Sequence, residues 1–168
     1  MKPNLKLSQE EGEPLADPIL YRRLIGKLLY LTITRPDLSY SVNRLSQFLS
    51  CPRQPHLQAV YRILQYIKGT PGQGLFYPTN SALQLQAFAD ADYGICPDTR
   101  RSITGFCVFI GDSLISWKSK KQSTVSRSTA ESEYRAIANM TCELVWLLYL
   151  LMDFYLAHSQ LALLFCDN

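Results

Sequence analysis

Apolar side chains recur at helical spacing through the first part of the chain and at strand spacing beyond it. Residues 1–17 are polar, with Pro3, Gly12, Pro14 and the acids Glu10, Glu11 and Glu13, and read as a tail or linker. Asp17-Pro18 then supplies an N-cap followed by proline at the first helical position. Ile19, Leu20, Leu24, Ile25, Leu28, Leu29 and Leu31 follow at helical intervals until Arg35-Pro36 stops them. A second helix is expected from about Asp37 to Ser50, closed by Cys51-Pro52. A third is expected from about Pro55 to Lys68, closed by Gly69-Thr70-Pro71-Gly72, with His56 at its opening. The division that results is a tail at 1–17, a helical segment at 18–74 and a second domain at 75–168.

In that second domain the period changes. Leu83 to Asp90 alternates as a strand does, Ile103 to Ile110 is a second strand, and Gly111-Asp112-Ser113 turns into a third, Leu114 to Trp117. A basic polar loop, Lys118 to Arg127, leads to a long helix from about Thr129 to Leu156. The apolar run Leu161 to Cys166 then suits a strand buried on both faces. Two hairpins make the first three strands antiparallel, and a right-handed helical crossover returns the fourth parallel to the first. The fold class expected is α/β (α+β): a small helical segment, then an incomplete mixed sheet with a long crossover helix.

Composition narrows the class without naming a chemistry. With 168 residues, 47% hydrophobic and 18% charged, the chain reads as globular, and no unbroken apolar run approaches the ~20 residues of a membrane span. No membrane partner is expected. Five cysteines without C-x-x-C spacing argue against a zinc site or a disulfide framework and suit an intracellular, reducing compartment. The net charge of +3 conceals an asymmetry, because residues 18–74 carry eight basic side chains against Asp37 alone. That points to an anionic partner or to an ordinary solvated helix surface.

The expected topology brings carboxylates to one sheet edge. Asp90 ends the first strand, Asp167 ends the fourth, and the long helix begins at the same edge, where open sheets place their sites. Ser128-Thr129-Ala130-Glu131 is a capping box that occupies Glu131 with the Ser128 amide, which leaves Glu133 as the helix acid. Asp92 competes with Asp90, but Asp92-Tyr93-Gly94 reads as the turn. Singly, each acid would be read as a cap, turn or surface residue; their convergence is what points to metal. Crowded carboxylates are unfavourable without a cation, and two magnesium ions would clamp a phosphodiester for attack by water. Arg100, Arg101, Lys118, Lys120, Lys121 and Arg127 lie close to this edge in sequence and are expected to hold phosphates of a nucleic acid.

These residues resemble a known family. Ala89-Asp90-Ala91-Asp92-Tyr93-Gly94, Arg101-Ser102-Ile103-Thr104-Gly105-Phe106, Ile115 to Gln122, and Ser128 to Ala136 resemble the ribonuclease H domain of copia-type retrotransposons. Tyr21 to Gly26 and Thr34-Arg35-Pro36-Asp37 resemble the region that links reverse transcriptase to that domain, and Cys166-Asp167-Asn168 resembles its third catalytic segment. The resemblance implies Asp90, Glu133 and Asp167 as catalytic metal ligands, with magnesium or manganese and two ions in the intact site. It further implies an RNA–DNA hybrid as substrate and the reverse transcriptase portion of the polyprotein as partner. Family members continue past the third acid to a fourth carboxylate that these 168 residues do not include. Cleavage by the chain on its own is therefore expected to be impaired or absent. The alternatives are a non-enzymatic nucleic-acid-binding or inert retroelement remnant, and a small interaction domain with structural acids.

Overall fold

The computed structural model describes residues 7–156 and 161–166, and its contacts divide the chain into two compact units between Gly74 and Leu75. Asp167 lies outside the described residues, as does His158.

The first unit is helical: α1 (Pro18–Leu31), a 3-10 turn (Pro36–Leu38), α2 (Ser39–Ser46) and α3 (Gln54–Gly69). Asp17 Oδ1 accepts the Ile19 amide at 2.9 Å, and Tyr21, Ile25 and Leu28 form the buried stripe of α1. The stripe packs on Val42, Leu45, Ala59, Val60 and Ile63. The Tyr21 hydroxyl donates to the Leu45 carbonyl at 2.8 Å, and burial holds its phenol well above the usual tyrosine range.

Two differences from the expected pattern have identifiable causes. The second helix is shorter, because a 3-10 turn takes up Pro36–Leu38 and α2 ends at Ser46. Phe48 nevertheless remains buried. The stretch 7–17 is not a loose tail. Leu7 is buried, Leu15 N donates to Pro52 O at 3.0 Å, and Gln54 N donates to Glu13 O at 2.9 Å. Arg53 completes the attachment by donating to the carbonyls of Gln9 and Gly12, both at 2.6 Å. Polar composition hid this because the attachment is made by backbone groups, which every sequence carries.

Arg35 fastens the turn before α2 to the end of α3. Its buried guanidinium forms a paired contact with Asp37, at 3.0 and 2.8 Å, and donates to the Thr70 carbonyl and hydroxyl, both at 3.0 Å. The hydrogen bond from Arg35 holds the Asp37 carboxyl below its ordinary value. A depressed folded value stabilises the unit above the ordinary carboxylate range of about 3.9, and that contribution is lost as pH falls toward the folded value. Asp37→Asn should therefore lower the urea midpoint of this unit at about pH 7 and change it much less at about pH 2. Far-UV circular dichroism with hydrogen exchange localised to α1–α3 reads the difference; an equal loss at both pH values would overturn it.

The second unit is a four-stranded mixed sheet: β1 (Leu85–Asp92), β2 (Ile103–Ile110), β3 (Ser113–Lys121) and β4 (Leu163–Phe165), in the order β3-β2-β1-β4. β1, β2 and β3 are antiparallel neighbours, and β4 runs parallel to β1 with Phe165 opposite Phe88. α4 (Thr129–Asp153) crosses one face. Leu85, Ala87, Ala89 and Ala91 point to it, and Ala136, Met140, Leu144 and Leu147 meet them. Small alanines on β1 let the helix approach closely, and the fully buried Met140 alone contributes about 2 kcal/mol of apolar burial. By length and composition α4 could cross a membrane, although its longest unbroken apolar run is short; its inner face is taken by the sheet.

Two sequence expectations change here. β3 extends through Lys121, so Lys118, Lys120 and Lys121 belong to a strand and not to a basic loop. β4 spans only three residues, with Leu163 and Phe165 exposed, so it is not buried on both faces. Only its middle residue, Leu164, packs against the α4 core.

Candidate functional site

Alternation along β1 sets the site. Ala89 and Ala91 face α4, so Phe88, Asp90 and Asp92 share the opposite face and are exposed. The strand continues two residues past Asp90, and Asp92, expected in the turn, is its last residue. Asp90 pairs with Gly105 of β2, a residue without a side chain to cover it.

The first turns of α4 end beside the same stretch. Ser128 Oγ accepts the Glu131 amide at 3.1 Å, forming the helix cap. Glu131 reaches one residue further than a capping box requires, accepting the Arg127 amide at 2.7 Å and pairing with Arg135 at 2.7 Å. The Arg127 amide and then Arg135 hold its carboxyl below the ordinary range. The Ser128 amide is thus not its partner, though the acid is engaged at the cap. Glu133, two residues on, accepts the Ala91 amide through Oε1 at 3.3 Å. The Tyr93 hydroxyl donates to the Arg127 carbonyl at 3.4 Å, a second link between the end of β1 and the start of α4.

Glu133 is therefore held at the residue next to Asp90, although the Asp90 side chain leaves the sheet on the face away from α4. Asp167, the third acid of the expected set, lies outside the described residues. Among the described residues, no three His, Cys, Asp or Glu side chains gather closely enough to hold a metal ion.

The expected phosphate-holding residues divide into two groups. Arg101, Lys118, Lys120 and Lys121 line a cleft of about 340 Å³ between the β2–β3 surface and α4. Arg100 and Arg127 do not line it; both are exposed, Arg100 in a left-handed conformation with φ 54°. Sequence reading missed Arg135 and Asn139, which complete the cleft wall. Their signal was the four-residue spacing Glu131, Arg135, Asn139, which stacks them on one side of a helix.

Gln122 organises the cleft floor. It is buried, its Nε2 donates to Thr104 Oγ1 at 3.1 Å and to the Ser132 carbonyl at 3.0 Å, and its Oε1 accepts from Ser126 Oγ at 3.0 Å. One side chain thereby ties β2, the loop after β3 and the first turn of α4 together. Nearby, Cys96 lies 3.8 Å from Lys121 Nζ and 3.1 Å from Thr99 Oγ1. Burial alone would raise its thiol, but the Thr99 hydrogen bonds and the Lys121 charge outweigh that and bring it below the ordinary value.

The chain is similar to three plant transposon proteins. It is 45% identical to the retrovirus-related Pol polyprotein from transposon RE1 of Arabidopsis thaliana, over all 168 residues. It is 44% identical to that from transposon RE2 of the same plant, over 97% of the chain. It is 35% identical to that from transposon TNT 1-94 of Nicotiana tabacum, over 95% of the chain. The matched segment spans 12%, 11% and 12% of those polyproteins. No protein-family model matches the chain, and no solved structure does.

Proposed function

Because the chain belongs to the Pol polyprotein family of copia-type retrotransposons, we propose that its second unit is a ribonuclease H-like module acting on the RNA strand of RNA–DNA hybrids. The observation that carries the proposal is that Glu133 of α4 reaches the backbone amide of Ala91, the residue next to Asp90 on β1. Carboxylates from two elements are an all-oxygen donor set of the kind magnesium and manganese take. Asp90, Glu133 and Asp167 are the residues we assign to hold the metal. When bound, such ions supply positive charge against a phosphodiester and lower the pKa of an attacking water. The chain's own contribution is positional. α4 carries Glu133 to the β1 edge, the alanines of β1 let the helix come close, and Gly105 leaves the Asp90 carboxylate uncovered. Arg100 and Arg127, by the end of β1, are the cationic side chains we assign to substrate phosphates there, contacts that do not read sequence. The partner implied is the reverse transcriptase portion of a Pol polyprotein.

A second reading, nucleic-acid binding without hydrolysis, is favoured by the cationic cleft between the β2–β3 surface and α4. A labelled RNA–DNA hybrid incubated with the chain and manganese separates the two. Fragment release that requires the ion and falls roughly 100-fold or more in both Asp90→Asn and Glu133→Gln supports hydrolysis, given the several kcal/mol such ions contribute. Salt-sensitive hybrid binding with no fragments at any enzyme concentration would leave the binding reading alone.

A further inference from the structure

We propose that the cleft between β3 and α4 is a separate subsite that anchors a single nucleic-acid strand through its phosphates. For the nature of the polymer this inference rests on the retroelement reading; for the anion it rests on the cleft itself.

Five cationic residues border the cleft, Arg101, Lys118, Lys120, Lys121 and Arg135, with the Lys121 ammonium turned to Cys96 at 3.8 Å. The acids of α4 nearest to it are already engaged, Glu131 with Arg135 and Glu143 with the Ser116 hydroxyl at 2.7 Å. The cations therefore outnumber the carboxylates, and an anion is the ligand that relieves their mutual repulsion. Lys118 is opposite Phe106 and Lys120 opposite Thr104, so both lysines lie on the α4 side of β3. They lie two residue steps apart, about 6.7 Å, close to the step between successive phosphates along one strand.

The cleft is also built. Gln122, buried and with three hydrogen bonds to its amide, fixes the chain directly after Lys121 against the helix. Uncharged groups, including Asn139, stand among the cations and can meet sugar or base edges.

Position argues for a single strand. Asp90 points from the opposite face of the sheet, and β3 is two strand spacings, about 10 Å, from β1. A stiff duplex engaged at Asp90 cannot turn around the sheet edge into a recess of this size, whereas a flexible overhang can. The volume of about 340 Å³ suits a nucleotide or so at a time.

Fluorescence anisotropy with a labelled single-stranded oligonucleotide of about a dozen residues tests this, using the whole chain. Lys118→Glu with Lys120→Glu should weaken binding at least roughly tenfold, and its neutral counterpart, Lys118→Gln with Lys120→Gln, should lower the salt slope by about 1.4. The neutral pair also serves should charge reversal impair folding, which tryptophan fluorescence from Trp117 and Trp146 would report. Unchanged binding in both lysine pairs would overturn the subsite. So would equal competition by polyglutamate, which would make the ligand an acidic polypeptide, or tighter lysine-dependent binding of the matching duplex. If hybrid cleavage fails while lysine-dependent single-strand binding holds, the hydrolytic reading falls and the subsite stands.

Discussion

His56→Ala is expected to lower the stability of the helical unit by about 3–4 kcal/mol. The ring is fully buried and stacks on Phe48 with centroids 3.8 Å apart and planes 16° apart. Its Nδ1 accepts the Arg53 amide at 3.0 Å, which fixes Nε2 as the donor to the Ser8 carbonyl, also at 3.0 Å. Alanine would open a cavity beneath Phe48. It would also strand an amide at the start of α3 and release the extended segment before α1. The effect thus combines an aromatic truncation with the loss of a helix cap and of a long-range tether. His56→Phe retains the stacking and removes both hydrogen bonds, so it should cost about half as much. Urea unfolding followed by far-UV circular dichroism measures both. A His56→Ala midpoint within error of the parent would show that the ring does not hold the unit together.

Gly111→Ala should destabilise the sheet unit by about 2–4 kcal/mol, whereas Gly94→Ala should cost only about 1 kcal/mol. Both glycines have nearly the same left-handed backbone, φ 54° and 58°. A Cβ at Gly94 would meet nothing nearer than the Arg100 carbonyl oxygen at 3.7 Å, an ordinary contact. At Gly111 it would run into Ser81 Oγ and the Ala82 carbonyl oxygen. Neither can step aside easily. Ser81 Oγ accepts the Asp112 amide at 2.7 Å, and the Gly111 amide donates to Gln84 O at 2.8 Å. Conformational cost is common to the two sites, so their difference isolates the steric part. Trp117 and Trp146 both lie in this unit and report its unfolding; equal losses at the two glycines would remove the steric argument.

Where the sequence was legible, the cause was local. Asp17-Pro18 and Ser128 mark helix starts because capping uses side chains that can be read directly. β2 begins and ends at Ile103 and Ile110 as its alternation indicates, and the hairpins with one crossover yield the observed strand order. What escaped depends on partners distant in sequence. Lys118 to Lys121 reads as loop from charge content, yet its alternate lysines continue β3 because Ile103 to Phe106 pairs with it. Leu161 to Cys166 reads as doubly buried from its apolar run, yet only Ala162 and Leu164 meet the helix core. Polar residues 7–17 carry no periodic signal, since backbone groups bind them to α3. At the candidate site the competition between Glu131 and Glu133 was readable from the cap, while Arg135 became visible only once α4 was laid over the sheet.

The Glu133 contact with Ala91 has a bearing on how substitutions there act. The carboxylate doubles as a brace between helix and strand, so removing it alters architecture and chemistry together. Glutamine keeps an oxygen for the Ala91 amide, whereas alanine abandons it, and the contrast between the two separates mechanical from chemical loss. The Ala91 amide is by the same logic a native sensor. Any cation or ligand that draws Glu133 away exposes that one proton to solvent exchange, so occupancy of the site can be followed at a single backbone position with no label introduced.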